Sequence, residues 1–242
     1  MQVQQRFDSV DLDPNRFVFD EELPSYEPRT APEYGIDDYE RPLVSFHLQQ
    51  VHSKLQVFVP TESSTSCTYQ VLSRSSLRLF SKRPNMEVIL EDNGGASQHS
   101  IAAIAFDNDG PLPWRPRANV AHGHDTYSME SWNFSDWSVV IRDIGYRWRL
   151  EGNPMSLALI EDGCSIVIAR FTYSSRGTTA KCGADIGKIA IFRDQLSQDR
   201  DGIESILCSL MVPIMHFKKM GKNYWNEAGT EQGHGRGRGE SH

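Results

Sequence analysis

The strongest hydrophobic signal in the chain is a run of apolar residues near its C-terminal end, from Gly202 to Met220. Polar side chains and a proline interrupt the stretch between Ile203 and Phe217 only at Glu204, Ser205, Ser209, Pro213 and His216. Asp201 followed three residues later by Glu204 is a capping-box pattern, which predicts the start of a helix. Because no polar face remains, this helix has to be enclosed by protein or by lipid.

The length of the predicted helix favours enclosure by protein. About 15 residues extend roughly 22 Å at 1.5 Å per residue, which is less than the ~30 Å hydrocarbon core of a bilayer. We therefore predict a buried helix over residues 202–219.

Upstream of this helix, short apolar runs separated by turn residues are typical of an all-β domain. Strand-like runs lie at residues 43–51, 54–60, 68–82, 86–92 and 100–107. Because three prolines rule out a central strand, segment 109–127 is predicted to be a long loop or irregular edge, with strand character returning at 118–122.

The clearest strand pattern begins at Trp137. Apolar and arginine side chains alternate in YRWRL at residues 146–150, as expected for a half-buried strand. Residues 156–173 form a predicted hairpin around Asp162-Gly163, and residues 188–195 form one more strand. Many antiparallel strands followed by one short hydrophobic helix predict a mainly β fold, a closed antiparallel β-barrel with the helix inside.

Composition and charge narrow the class of protein. The chain has 242 residues and a net charge of −7 with a pI near 5.6, which argues against general nucleic-acid binding. Four cysteines lack metal-ligand spacing, so we expect reduced thiols in an intracellular protein. The N-terminus lacks a signal-peptide pattern and no long apolar stretch follows, which indicates a cytoplasmic protein without a transmembrane span.

These patterns divide the chain into three parts. Residues 1–40 are predicted to be an acidic disordered arm, residues 41–221 the barrel domain, and residues 222–242 a disordered Gly-rich tail. Within the arm, Leu23, Pro24 and Tyr26 fit the L-P-x-Y pattern that WW domains bind in polyproline geometry. Acidic linkers also contain such residues by chance.

No motif for catalysis or for a cofactor is present. The sequence lacks the G-x-S-x-G, H-E-x-x-H and GxxxxGK[ST] patterns, so we predict no enzyme activity, no cofactor and no metal. His122, His124 and Asp125 could in principle converge on one ion, but no further ligands lie at suitable spacing. A polar loop is the preferred interpretation of this segment.

Arginine pairs are the best candidates for contact with a ligand. Arg115 and Arg117 flank Pro116 next to Trp114, and Arg147 and Arg149 lie on one face of the predicted strand at 146–150. If either pair faces a groove, anionic phosphate is the natural ligand, because guanidinium groups bind it bidentately. The alternative is that both pairs lie on solvated strand and loop surface.

The order of these features resembles the tubby C-terminal-like superfamily, which includes tubby, phospholipid scramblase and LURP-one-related proteins, and in particular its uncharacterised fungal branch. The stretches that carry the resemblance are PWRPRANVAH at 113–122, SWNFSDW at 131–137, YRWRL at 146–150, SLALIEDGCSIVIARF at 156–171, KIAIF at 188–192 and the helix at 202–217. The resemblance implies a barrel of about twelve strands around a buried C-terminal helix. It also implies a cytoplasmic or membrane-peripheral location.

Three functions are compatible with the sequence. The first is a non-enzymatic module that recognises anionic phospholipid head groups, as tubby proteins bind phosphoinositides. The second is a cytosolic adaptor that recruits a WW-domain ubiquitin ligase through the N-terminal arm. The third, scramblase-like activity, is disfavoured because the chain lacks the cysteine-rich segment and the acidic stretch of scramblases.

Overall fold

The computed structural model describes residues 41–62, 67–74, 84–92, 98–107, 115–164 and 166–227. This part of the chain forms twelve strands, two 3-10 turns and one long helix, α1. The strands are β1 (Val44–His52), β2 (Leu55–Pro60), β3 (Cys67–Ser73), β4 (Met86–Asp92), β5 (Gln98–Asp107), β6 (Arg117–His122), β7 (Asp125–Ser131), β8 (Trp137–Ile141), β9 (Ile144–Glu151), β10 (Ser156–Glu161), β11 (Val167–Tyr173) and β12 (Ala184–Ile191). The 3-10 turns are Gly177–Thr179 and Leu196–Gln198, and α1 is Arg200–Lys219.

The strands form a closed antiparallel barrel in simple chain order. Each strand pairs with the next, and β12 pairs with β1 through a register that includes Val44 opposite Ile191. Closure leaves no strand with an unpaired edge. Because the strands alternate in direction, the connections between them alternate between the two ends of the barrel.

Helix α1 lies inside this barrel. Side chains from strands on different sides reach it: Tyr69 from β3, His122 from β6, Tyr127 from β7 and Trp148 from β9 all form hydrogen bonds with α1. The helix is buried from Glu204 to Ile214 without a break. The predicted fold class, a closed antiparallel barrel around a buried hydrophobic helix, is therefore confirmed.

The helix begins two residues before the predicted start, and its cap differs from the prediction. Asp199 is the N-cap, and its carboxylate accepts a hydrogen bond from the Gly202 backbone N–H at 2.7 Å. Asp201 and Glu204 therefore do not form the capping box. Glu204 instead points into the barrel, where it binds side chains of other elements.

Within segment 109–127, the return of strand character predicted at 118–122 is confirmed, whereas the start of a second strand was not predicted. Strand β6 covers residues 117–122 and β7 begins at Asp125, with His122 paired to Asp125 across a two-residue turn. Gly123 in this turn has a φ of 56°, which glycine adopts without strain. The prolines that disfavoured a strand precede β6 and do not interrupt it.

Residues 222–227, which the sequence assigned to the tail, pack on the barrel. The side chain of Asn226 donates hydrogen bonds to the carbonyl oxygens of Met155 and Tyr173, and its Oδ1 accepts one from the Met155 N–H. The Tyr224 ring contacts Phe217 edge-on at 5.0 Å between centroids. This segment therefore ties the end of α1 to β10 and β11.

Within the described ranges, no helix combines the length and the hydropathy that a membrane-spanning helix needs. The predicted N-terminal arm and residues 228–242 lie outside these ranges.

Candidate functional site

The first arginine pair lies at the start of β6, where two guanidinium groups share one carboxylate. Arg117 pairs with Glu130 of β7 at 3.2 Å, and Arg115 approaches the same Glu130 oxygen at 3.7 Å. The Arg115 guanidinium lies 3.5 Å from the centre of the Trp132 ring, in stacking distance. On the other side of Arg117, Asp107 of β5 is its cross-strand neighbour, so two carboxylates lie next to the two arginines.

The second pair, on the outer face of β9, binds two acids, one of which it shares with a third arginine. Arg147 forms an ion pair with Asp162 at 3.2 Å, and Arg149 forms one with Glu151. Glu151 also binds Arg170 of β11 at 2.6 Å. Burial alone would raise the pKa of Glu151, but hydrogen bonds from Arg149 and Arg170 hold it below its usual range.

Both pairs lie on the outer face of the same stretch of sheet. The registers place Arg117 opposite Glu130, Glu130 opposite Ser138, and Ser138 opposite Arg147. Arg117 and Arg147 are thus three strand spacings apart, or about 14 Å at ~4.8 Å per strand. The two pairs therefore belong to one surface but do not form a single cluster.

We define the basic end of the barrel as the end where β1 turns into β2 and where α1 finishes. The ammonium group of Lys218 binds Gln50 near the β1–β2 turn, which places the helix C-terminus at this end. Outside the strands, the described acidic residues here are Asp136 and Glu227. The described basic residues here are Lys54, Arg74, Arg115, Arg176, Lys181, Lys218, Lys219 and Lys222.

The opposite end, which we call the acidic end, carries the other half of the connections and the start of α1. Its described basic residues outside the strands are Arg41, Arg142, Arg193 and Arg200. Its described acidic residues outside the strands are Glu62, Asp143, Asp162, Asp194, Asp199, Asp201 and Glu204. Charge is therefore segregated along the barrel axis.

A cavity of about 1110 Å³ opens at the acidic end, lined by the β6–β7 and β8–β9 turns and the first turns of α1. Its floor is a buried network around Glu204. One Glu204 oxygen accepts hydrogen bonds from Arg200 at 2.8 Å and from Tyr69 at 3.4 Å, and the other lies 3.0 Å from Nε2 of His122. Burial alone would raise the pKa of Glu204, but the hydrogen bonds from His122 and Arg200 lower it.

Ser205 completes this network. Its hydroxyl oxygen lies 3.3 Å from Nδ1 of His122, an order of groups that serine hydrolases also use. The same hydroxyl lies within hydrogen-bond distance of the Asp201 carbonyl oxygen, at 2.9 Å. The network therefore anchors the start of α1 to β3 and β6.

The histidines of the His122-Gly123-His124-Asp125 segment do not converge. His122 is buried against Glu204, whereas His124 and Asp125 are exposed on the turn. Among the residues that the structure describes, no group of three His, Cys, Asp or Glu side chains is arranged to hold a metal ion. The preferred polar-loop interpretation holds for His124, but His122 is an interior strand residue.

The WW-binding candidates Leu23, Pro24 and Tyr26 lie outside the described residues, as does Trp114.

The segregation of charge was not predicted from the sequence, because it depends on which turns share an end of the barrel, and strand order determines this. The contact of His122 with Glu204 was not predicted because the two residues are far apart in the chain. The buried Glu204 inside an apolar run was the available signal, since a buried carboxylate requires partners.

No family model, no curated protein and no solved structure matches this chain.

Proposed function

We propose that this protein is a non-enzymatic binding module that recognises anionic phospholipid head groups at a membrane surface, and that it contacts them with its basic end. The observation that carries the proposal is the segregation of charge between the two ends. A net charge of −7 spread evenly would repel an anionic surface. Because lysines and arginines are concentrated at one end, this end attracts an anionic surface although the net charge of the chain is negative.

The dimensions of the barrel make this separation effective. Helix α1 has 20 residues, which corresponds to about 30 Å from the acidic end to the basic end at 1.5 Å per residue. The Debye length at physiological ionic strength is about 8 Å, so the distant carboxylates are screened from a surface that the basic end touches. Each lysine or arginine close to such a surface contributes on the order of 1 kcal/mol.

Of the two arginine pairs, the first suits this role better. Arg115 and Arg117 lie beside the basic end and are partly exposed, so a phosphate oxygen at a surface that this end touches can bind them. Arg147 and Arg149 lie on the outer face of β9, on the side of the barrel, where they bind Asp162 and Glu151.

Liposome sedimentation tests the proposal. We expect the wild-type protein to pellet with vesicles that contain phosphatidylserine or a phosphoinositide, and to stay in solution with pure phosphatidylcholine. Arg115→Ala/Arg117→Ala is expected to weaken pelleting more than Arg147→Ala/Arg149→Ala. The phosphoinositide and phosphatidylserine arms distinguish recognition of a particular head group from general attraction to negative charge.

A charge-reversal pair supplies the matched control. Lys181→Glu/Lys222→Glu, at the basic end, is expected to weaken binding by roughly tenfold or more, since two cations near the surface are replaced by anions. Arg193→Glu changes an exposed arginine at the acidic end and is expected to leave binding unchanged. Absence of pelleting on both anionic vesicles would overturn the proposal.

A further inference from the structure

The exposed aromatic side chains of the described residues all lie at the basic end. Trp132 and Phe134, in the β7–β8 connection, are 66% and 45% exposed, and Trp225, which follows α1, is 53% exposed. The exposed side chains near the acidic end, such as Val140 and Ile166, are aliphatic. Exposing large aromatic rings to water has a cost that interior positions would avoid, so their common location requires a reason.

Tryptophan combined with basic residues is the usual composition of a membrane-interface contact. Its ring has an apolar body and a polar N–H, and it partitions to the level of the lipid head groups. The Arg115 guanidinium stacks on the Trp132 ring, so a positive charge accompanies this indole wherever it inserts. Trp225 lies in the segment that Asn226 fixes to Met155, so its backbone is held against the barrel.

We infer that the barrel docks end-on on an anionic bilayer, with Trp132 and Trp225 inserted among the lipid head groups and the axis of α1 steeply inclined to the membrane plane. This inference rests on the proposed function and specifies its geometry. Because α1 runs from the acidic end to the basic end, the cavity above Glu204 faces away from the membrane. The outer face of β9, with Arg147 and Arg149, is then a side wall that makes no lipid contact.

Tryptophan fluorescence tests the geometry directly. Trp137 and Trp148 are fully buried in the barrel core, so lipid-borne quenchers cannot reach them. In a Trp114→Phe background, the remaining accessible indoles are Trp132 and Trp225. We expect vesicles of phosphatidylserine and brominated phosphatidylcholine to reduce the emission by roughly a third or more through these two interfacial rings. Adding Trp132→Phe/Trp225→Phe should remove most of this quenching.

A binding measurement on the same vesicles without bromine provides the second readout. Trp132→Ala/Trp225→Ala is expected to weaken binding by about tenfold, since both interfacial anchors are lost. Val140→Ala/Ile166→Ala, which removes exposed apolar groups at the acidic end, is expected to have no effect. The thermal unfolding midpoint of each variant confirms that the barrel is intact.

The outcomes separate the inference from the proposed function. If the wild-type protein does not bind the anionic vesicles, the proposed function fails and the docking geometry fails with it. If it binds but shows no quenching, and Trp132→Ala/Trp225→Ala binds normally, end-on docking is wrong while lipid binding stands.

Discussion

Arg142 and Asp143, which form the β8–β9 turn, have φ angles of 51° and 65°. A two-residue turn between the paired Ile141 and Ile144 requires this left-handed conformation at both positions, and asparagine followed by glycine is the usual solution. For a residue other than glycine, this conformation costs about 1–2 kcal/mol of conformational free energy. Arg142 offsets part of this cost by binding both carboxylate oxygens of Asp199, the cap of α1, at 2.9 Å.

Among the residues that the structure describes, Asp143 makes no such compensating hydrogen bond or ion pair, and this leads to a prediction for a single substitution. Asp143→Gly is expected to raise the free energy of unfolding by about 0.5–1 kcal/mol, since relief of left-handed strain exceeds the added entropy of the unfolded chain. Urea unfolding of both proteins measures the difference. Ser175→Gly, at an exposed loop position with ordinary φ, should be destabilising instead. Equal effects of the two glycines would contradict this explanation.

At the scale of single elements, the C-terminal half of α1 contains an ionisable group that the barrel tolerates only in its neutral form. His216 packs edge-on against Trp137 at 5.1 Å between ring centroids, and among the described atoms its buried Nε2 has no hydrogen-bond partner. Burial, together with the charge of Lys219, lowers the pKa of His216 to about 4. In the unfolded chain this pKa returns to about 6.5.

Stability is therefore expected to depend on pH through His216. Because the unfolded state binds the proton first, the stability is fully present above about pH 6.5 and is lost as the pH falls towards 4, by on the order of 2–3 kcal/mol. His216→Phe keeps a ring against Trp137 and should flatten this dependence. The urea midpoint between pH 7.5 and pH 4.5 is the measurement. His124→Gln, an exposed control, should retain the full loss, and an unchanged slope in His216→Phe would refute the assignment.

The whole molecule is stabilised by its last described segment as well as by strand pairing. Asn226 bridges Met155 and Tyr173, and Tyr224 packs on Phe217, so residues 222–227 close the barrel interior beside the end of α1. The domain boundary that the sequence suggested, at residue 221, excludes all these contacts.

Two truncations test this closure. A chain of residues 41–227 contains the complete core cluster and is expected to unfold at the same temperature as the full chain. A chain of residues 41–221 is expected to lose several kcal/mol, because three buried hydrogen bonds of Asn226 and the apolar contacts of Tyr224 disappear. Scanning calorimetry compares the midpoints. Equal midpoints for the two truncations would show that the segment makes no contribution.

Features that depend on local pattern could be predicted from the residues alone. Alternation in residues 146–150 and the Asp162-Gly163 turn located strands β9 to β11, and the absence of a polar face between Ile203 and Phe217 required that α1 be enclosed. Exposing so much apolar surface to water is unfavourable, and the many strands that precede the helix made a closed sheet the expected enclosure.

The folded chain was needed to show which charges share an end, that His122 and Arg200 bind Glu204, and that Asp199 rather than Asp201 caps the helix. Strand β7 was not predicted, because the prolines at 111–116 favoured a loop through residue 127. Each of these depends on residues distant in the chain or on the choice between neighbouring caps of similar chemistry. Local periodicity carries no information about such choices, since strand order and packing determine them.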